Sequence, residues 1–210
     1  MTYLLAQFPL QIVVFPGETI PLHIFEPRYR DLIQDCEESE IPFGITPVID
    51  GKTKEVGTSM QLVNIKKRYP DGRLDITVKG THTYLIKRFH VISEQKIYAA
   101  AEVTDRQITG AADPTYELHI HTLMEELYSI MRIPKRKIPE NFQLSTIAHK
   151  IGLSLEEEYQ LLSMSNQIEQ QTFIIDRLEK ILPQIREMEE IRKRIEMNGH
   201  TRYIIPPKRN

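Results

Sequence analysis

His119 and His121, the single cysteine at 36 and the run Gly51-Lys52-Thr53 have residue types suited to metal binding, nucleophilic attack or phosphate recognition. A zinc-binding helix places its histidines four apart on one face. On a helix His119 and His121 would point about 200° apart, which describes a solvated pair. A phosphate-binding loop requires glycine five residues before its Gly-Lys-Thr triplet. Position 46 is threonine, so a surface turn is expected at 51–53. Cys36 falls on the apolar stripe of a short helical pattern and is expected to fill the core. One cysteine also excludes an internal disulfide and any multi-cysteine zinc site.

A Ser-Lys protease dyad needs a serine on a shaped turn with a lysine beside it in a dry pocket. The eight serines lie in helix, linker or strand contexts without such a setting. His82, on the apolar face of a strand pattern, reads as a hydrogen-bonded core histidine, and His23 reads the same way. Glu26 and Arg30 are four apart and suit a structural pair along a helix. No catalytic, cofactor-binding or metal residue is assigned, and no individual binding residue is named.

The net charge of −2 comes from 27 basic and 29 acidic residues spread evenly along the chain. That balance argues against nucleic acid as a partner, since phosphate recognition needs a concentrated positive surface. Lys66-Lys67-Arg68, Lys135-Arg136-Lys137 and Arg192-Lys193-Arg194 are expected to be solvated, with Glu187, Glu189, Glu190 and Glu196 neutralising the third cluster. The start, MTYLLAQFPLQIVVFPG, lacks a basic segment and is broken by Gln7, Pro9 and Gln11, unlike a signal peptide. No run reaches the ~20 apolar residues of a membrane span. A cytoplasmic protein of ordinary globular composition, 40% hydrophobic, is expected.

The elements change character near residue 110. Leu74, Ile76, Val78, Gly80, His82, Tyr84 and Ile86 alternate with polar residues, the pattern of a half-buried antiparallel strand. Tyr69-Pro70-Asp71-Gly72-Arg73 has tight-turn chemistry, so 56–69 should be the partner strand. Ile97, Ala99, Ala101 and Val103 predict another strand, and Gly80 predicts a bulge or barrel corner. Pro16-Gly17 reads as a turn, and Pro21 places its short strand on an edge or at a bulge. Pro27 opens a helix whose apolar stripe is Tyr29, Leu32, Ile33 and Cys36.

Beyond Gly110 the pattern is helical. Asp113 and Pro114 cap a helix reaching about Ile133, followed by a linker from Pro134 to Pro139. Ser154 with Glu157 forms a capping box, and Asn166 with Glu169 begins a further helix running to a Gly199 stop. Its stripe is Ile174, Leu178, Ile181, Ile185 and Met188, and Pro183 should kink or divide it.

Several of these residues carry a family likeness. Phe8-Pro9-Leu10, Val13-Val14-Phe15-Pro16-Gly17 and Pro21-Leu22-His23-Ile24-Phe25-Glu26-Pro27-Arg28-Tyr29-Arg30 resemble the signature of the N-terminal, substrate-binding domain of Lon proteases. Gly57, Asp71-Gly72-Arg73, Gly80 and Ala101-Glu102-Val103 follow in the same order. The run from Leu153-Ser154-Leu155-Glu156-Glu157 into the long charged helix resembles the segment that follows this domain. Gln11-Ile12 departs from the more usual Arg-Asp, and Thr83-Tyr84 from Arg-Phe.

The resemblance implies an α+β fold: a PUA-like β-barrel with one short helix at residues 1–106, an all-α helical bundle with a long C-terminal helix at 113–199, and a tail at 200–210. It implies a non-catalytic module that binds unfolded or tagged protein segments. ATP hydrolysis and proteolysis belong to later Lon domains, which these residues are expected to lack. No cofactor is expected. The alternatives are a PUA-like RNA-binding protein, or a regulator or adaptor of a Lon-type protease that forms a homo-oligomer through its long helix.

Overall fold

In the computed structural model the described residues are 1–90, 97–133, 143 and 147–200, the last three by backbone alone. The linker 134–139 with its basic cluster, and the tail 201–210, lie outside them. The elements run β1 (Thr2–Leu10), β2 (Thr19–Ile24), α1 (Pro27–Ser39), β3 (Phe43–Ile49), β4 (Lys52–Thr53), β5 (Val56–Arg68), β6 (Leu74–His90), β7 (Ala100–Asp105), α2 (Pro114–Ile130), a 3-10 turn (Ala148–Lys150), α3 (Leu155–Ser163) and α4 (Gln167–His200).

The strands β1, β7, β6, β5 and β3 are antiparallel neighbours in that order. β1 then meets β3 in parallel, with Ala6 opposite Phe43 and Leu10 opposite Pro47, and this closes the sheet into a barrel. β2 lies outside the ring on β6, Ile20 opposite Val78. The Gly80 amide donates to the Glu18 carbonyl at 2.8 Å. Antiparallel alternation then turns Ile20, Leu22 and Ile24 toward β6 and the Pro21 nitrogen toward the open edge, where a missing donor costs no ladder bond.

Gly80 is the corner its position predicted. The register of β5 on β6 shifts between Thr58 and Met60, opposite this glycine. A Cβ at Gly80 would stand 2.7 Å from the Phe15 carbonyl oxygen, so only glycine lets the Phe15–Glu18 turn cross the strand. The shift interrupts alternation beyond it. Thr83 and Tyr84 are both buried, whereas the His82 side chain is 43% exposed and pairs with Asp105 at 3.0 Å. The expected core histidine is therefore a surface one. The same correction applies to His23, whose β2 position faces solvent beside Asp75.

One end of the barrel is filled by α1. Pro27 stands in its first turn and its four-residue stripe is buried as expected, Leu32 and Ile33 completely. These side chains meet Phe8, Phe43, Ile45, Met60, Ile76 and Val78. The Phe8 and Tyr29 rings stack with centroids 3.8 Å apart. Burial of each such side chain contributes about 1.5–3 kcal/mol. The Glu26–Arg30 pair does not form. Glu26 accepts from Arg28 at 2.8 Å, and Arg30 reaches across to the Asp71 carbonyl at 3.0 Å. A through-space bond to the neighbouring hairpin outcompetes the helical neighbour.

Farther along the barrel a polar trio is sealed from water. The Tyr84 and Thr46 hydroxyls both donate to Gln7 Oε1, at 2.9 and 2.6 Å. Gly44 and Gly57 leave the space that the Tyr84 ring and hydroxyl occupy.

The helices share a core with the barrel's turn-bearing side. Val13, Phe15 and Val56 belong to the same cluster as Ile120, Met124, Leu127, Leu161, Ile174 and Leu178. Asp113 caps α2 by accepting from the Thr115 amide at 2.7 Å. The capping box of Ser154 and Glu157 opens α3, and Asn166 caps α4 through the Ile168 amide at 2.8 Å.

Three expectations need correction. β7 starts at Ala100, leaving Ile97 half-exposed outside the strand. α2 stops at Ile130, because Arg132 adopts a positive φ of 54°. In α4, which runs through Pro183 undivided, Met188 of the predicted stripe is 68% exposed.

Candidate functional site

β5 outruns the strand that covers it. β3 pairs with β5 only from Thr58 to Met60. From Gln61 to Arg68 β5 has β6 on one side, and among the described residues no strand lies on the other. The register slips between Leu62 and Asn64 and again between Ile65 and Lys67. Such bulges bend and twist an edge, which limits indiscriminate pairing while re-aiming side chains outward.

The outward face of α1 lies beside this open edge, and together they form a groove. One cavity of about 300 Å³ is lined by Cys36, Glu37, Glu40 and Ile41 from the helix side and by Gln61–Ile65 from the strand. A second, of about 430 Å³, is lined by Arg30, Gln34, Glu37 and Glu38 opposite Ile65, Arg68, Tyr69 and Leu74. Glu37 and Ile65 belong to both. Val63, 53% exposed, and Ile41, 38% exposed, supply apolar surface within a charged rim.

The groove's far end carries an aromatic group. Tyr69 is flanked by Lys67 Nζ, 4.4 Å from its ring centroid, and Arg73 Cζ at 5.1 Å. Its hydroxyl donates to Asp75 at 2.8 Å, and Asp75 also meets His23 Nδ1 at 2.6 Å. These two bonds hold the Asp75 carboxyl below its ordinary range, the His23 bond contributing most. Phe25, stacked beside His23, is 61% exposed. His23, Phe25 and Arg28 thus present their side chains to solvent, whereas Leu32 and Ile33 of the following helix build the core.

The residues considered for chemistry are dispersed. Asp50-Gly51 is a hairpin turn between β3 and β4, both residues at positive φ as that tight turn demands. His119 is exposed and lies 3.5 Å from Glu179. Cys36 is buried, and desolvation followed by the nearby Asp35 charge pushes its thiol up to about 12, the opposite of an activated nucleophile. Among the described residues no group of three or more His, Cys, Asp and Glu side chains is placed to hold a metal ion. No helix there is long and apolar enough to cross a membrane. The arrangement offers non-covalent recognition: unpaired strand backbone, apolar lining and fixed charge.

The sequence pointed instead to the barrel face, to a groove against the helices and to free backbone on the edge strand broken by Pro21; the groove between α1 and β5 was not anticipated. Its one local signal is Leu62-Val63-Asn64-Ile65, where alternation fails in mid-strand.

Comparison with known proteins agrees with this fold. The family model of the ATP-dependent protease La (LON) substrate-binding domain matches residues 5–200. Lon protease 1 of Hydrogenovibrio crunogenus is 24% identical over 83% of the chain, and the chain spans only 22% of that protein's length. The crystal structure of a Lon N-terminal domain protein from Xanthomonas campestris shares the fold with a TM-score of 0.61, at 24% identity, covering 86% of this chain and 98% of that one. The N-terminal domain of Mycobacterium avium complex Lon protease does so with a TM-score of 0.63, at 17% identity, covering 84% and 98%. A barrel plugged by one helix, with a long final helix and a family match across nearly its whole length, places this chain in the Lon substrate-binding domain family.

Proposed function

We propose that the chain is a non-catalytic binding module for unfolded or tagged protein segments, taken up in the groove between α1 and the open edge of β5. One observation carries this reading: from Gln61 to Arg68 the strand offers backbone groups that, among the described residues, no strand takes up on the side away from β6, beside the apolar surface of Val63 and Ile41. An extended polypeptide satisfies such an edge through main-chain hydrogen bonds and places alternate side chains in the adjoining cavities. The bulges shorten the stretch over which pairing is regular, so recognition favours apolar side chains over a strict motif.

On this reading residues 1–106 carry the recognition surface, residues 113–199 brace it through the core they share with Val13, Phe15 and Val56, and 200–210 is a tail. Family membership supports a working partnership with a Lon-type protease in the cytoplasm, the chain itself turning over neither ATP nor polypeptide.

The test is fluorescence anisotropy with a labelled, permanently unfolded protein. Micromolar binding is expected, weakened about tenfold or more by Val63→Asp, which puts a charge on the apolar floor at an exposed site. A folded protein that binds no unfolded chain at about 100 µM overturns the proposal. So does binding confined to RNA that collapses with salt.

A further inference from the structure

The two ends of the groove differ in charge. The cavity of about 300 Å³ between the end of α1 and Gln61–Ile65 has two charged residues in its lining, Glu37 and Glu40, and both are carboxylates. Arg30 and Arg68 line the second cavity instead, together with Glu37 and Glu38. Arg30 is engaged by the Asp71 carbonyl, and Arg68 by Glu37 at 2.6 Å. Lys66, next along β5, lines neither cavity.

The helix does nothing to neutralise the acidic end. The last turn of α1 carries no basic residue, although the carbonyls left unpaired at a helix C-terminus favour a cation there. Glu37, Glu38 and Glu40 occupy that end. Glu38 accepts from the Gln34 amide at 2.8 Å, a neutral donor. Glu40, which ends the helix at a φ of 52°, has no hydrogen-bond or ion-pair partner among the described residues. Its carboxylate thus stands by the negative end of a helix, in the lining of one cavity with the apolar Val63 and Ile41. Lysine and arginine suit such a lining, because each lays a hydrocarbon stem on apolar surface and carries a cation at its tip.

We propose that the groove prefers segments in which a lysine or arginine stands among apolar residues, the stem resting on Val63 and Ile41 and the cation meeting Glu40. This rests on the groove being the client site and adds the class of segment it selects. The bridge between Glu37 and Arg68 works in the same direction. A client cation that reaches Glu37 takes the place Arg68 gives up, so a basic segment leaves that carboxylate paired where a neutral one does not. An acidic segment brings like charge to Glu37 and Glu40 and is disfavoured.

Fluorescence anisotropy of the full chain with three labelled peptides tests this, each of alternating leucine and threonine with one central lysine, glutamine or glutamate. The lysine form should bind about threefold to fivefold more tightly than the glutamine form, and the glutamate form more weakly than either. Glu40→Gln should bring the lysine form to within about twofold of the glutamine form, with the affinity of the glutamine form and the circular dichroism unchanged. Glu40→Lys should place the glutamate form above the lysine form. Equal binding of the three peptides overturns the proposal while the groove stands as the client site. So does a lysine preference that both Glu40 variants leave intact, or failure to bind any peptide at about 100 µM by a chain that still binds an unfolded protein. A folded chain that binds neither the peptides nor an unfolded protein removes the groove reading, and this proposal with it.

Discussion

Arg68 Nη2 lies 2.5 and 2.6 Å from the two carboxylate oxygens of Glu37, tying β5 to α1 across the groove. Both side chains are about half exposed, so the pair adds no more than about 1 kcal/mol to stability. Glu37 and Arg68 line the larger cavity together, and an incoming segment has to displace the bridge between them. Arg68→Ala is therefore expected to leave the melting temperature nearly unchanged and to tighten binding of an unfolded protein about threefold to tenfold. Anisotropy measures this, and unchanged binding would move the client site elsewhere. Raising salt should tighten wild-type binding in the same direction by screening the bridge.

The sealed trio of Gln7, Thr46 and Tyr84 should be sensitive to single changes. Tyr84→Phe removes a hydroxyl that bonds both partners in a fully buried site, at an expected cost of about 1–2 kcal/mol. Gly44→Ala or Gly57→Ala drives a methyl group into the Tyr84 ring, which cannot move within the barrel. Overpacking of this kind costs about 1–3 kcal/mol. Urea unfolding reads each loss as a lowered midpoint.

His149 joins the two parts of the chain. Its ring lies 3.1 Å from Glu18 on the barrel turn and 2.6 Å from Glu158 on α3. The hydrogen bond to Glu18 is the largest cause, Glu158 adds to it, and together they outweigh desolvation and raise the imidazole to about 9. A group raised on folding stabilises fully below its unfolded value near 6.5, and that stabilisation fades as pH climbs through about 9. With the side chain 35% exposed, solvent screening reduces the contribution to about 1–2 kcal/mol. Thermal unfolding should therefore show stability falling between these pH values, and His149→Gln should flatten that slope.

Gln171 is fully buried and clasps one residue with both ends of its amide. Its Oε1 accepts from the Asp113 amide at 2.8 Å and its Nε2 donates to the Asp113 carbonyl at 3.1 Å. Gln171→Leu keeps the volume but strands the Asp113 amide, while the Asp113 carbonyl keeps its bond from the Glu117 amide, at an expected cost of about 1–2 kcal/mol. Denaturation compared with the exposed control Gln184→Leu separates this loss from a general effect of added apolar surface.

Much of the local structure was legible because it depends on neighbours in the chain. The turn at Asp71-Gly72, the caps at Asp113, Ser154 and Asn166, and the stripe of α1 each follow from residues within four positions of one another. Errors arose where a distant segment intervened. His82 followed the alternation of its strand until the crossing at Gly80 broke it, and Arg30 left its helical neighbour for a carbonyl 41 residues away. Gln171 gave no sign in sequence, since a buried glutamine and a solvated one are spelled alike.

The sequence by itself determined the order and kind of the helices and of the strands β2, β5, β6 and β7, though not β1, β3 or β4, and also the absence of a disulfide framework and the family likeness, because periodicity, capping and turn chemistry act over a few residues. Only the tertiary structure decided that β5 extends beyond β3, that His23 and Phe25 face solvent, and that α4 leaves the bundle with its apolar stripe uncovered. Those are questions of which surfaces remain after distant strands and helices have packed. Strand ends and helix overhangs depend on the lengths of their partners, and a partner's length is not written in the residues it fails to cover.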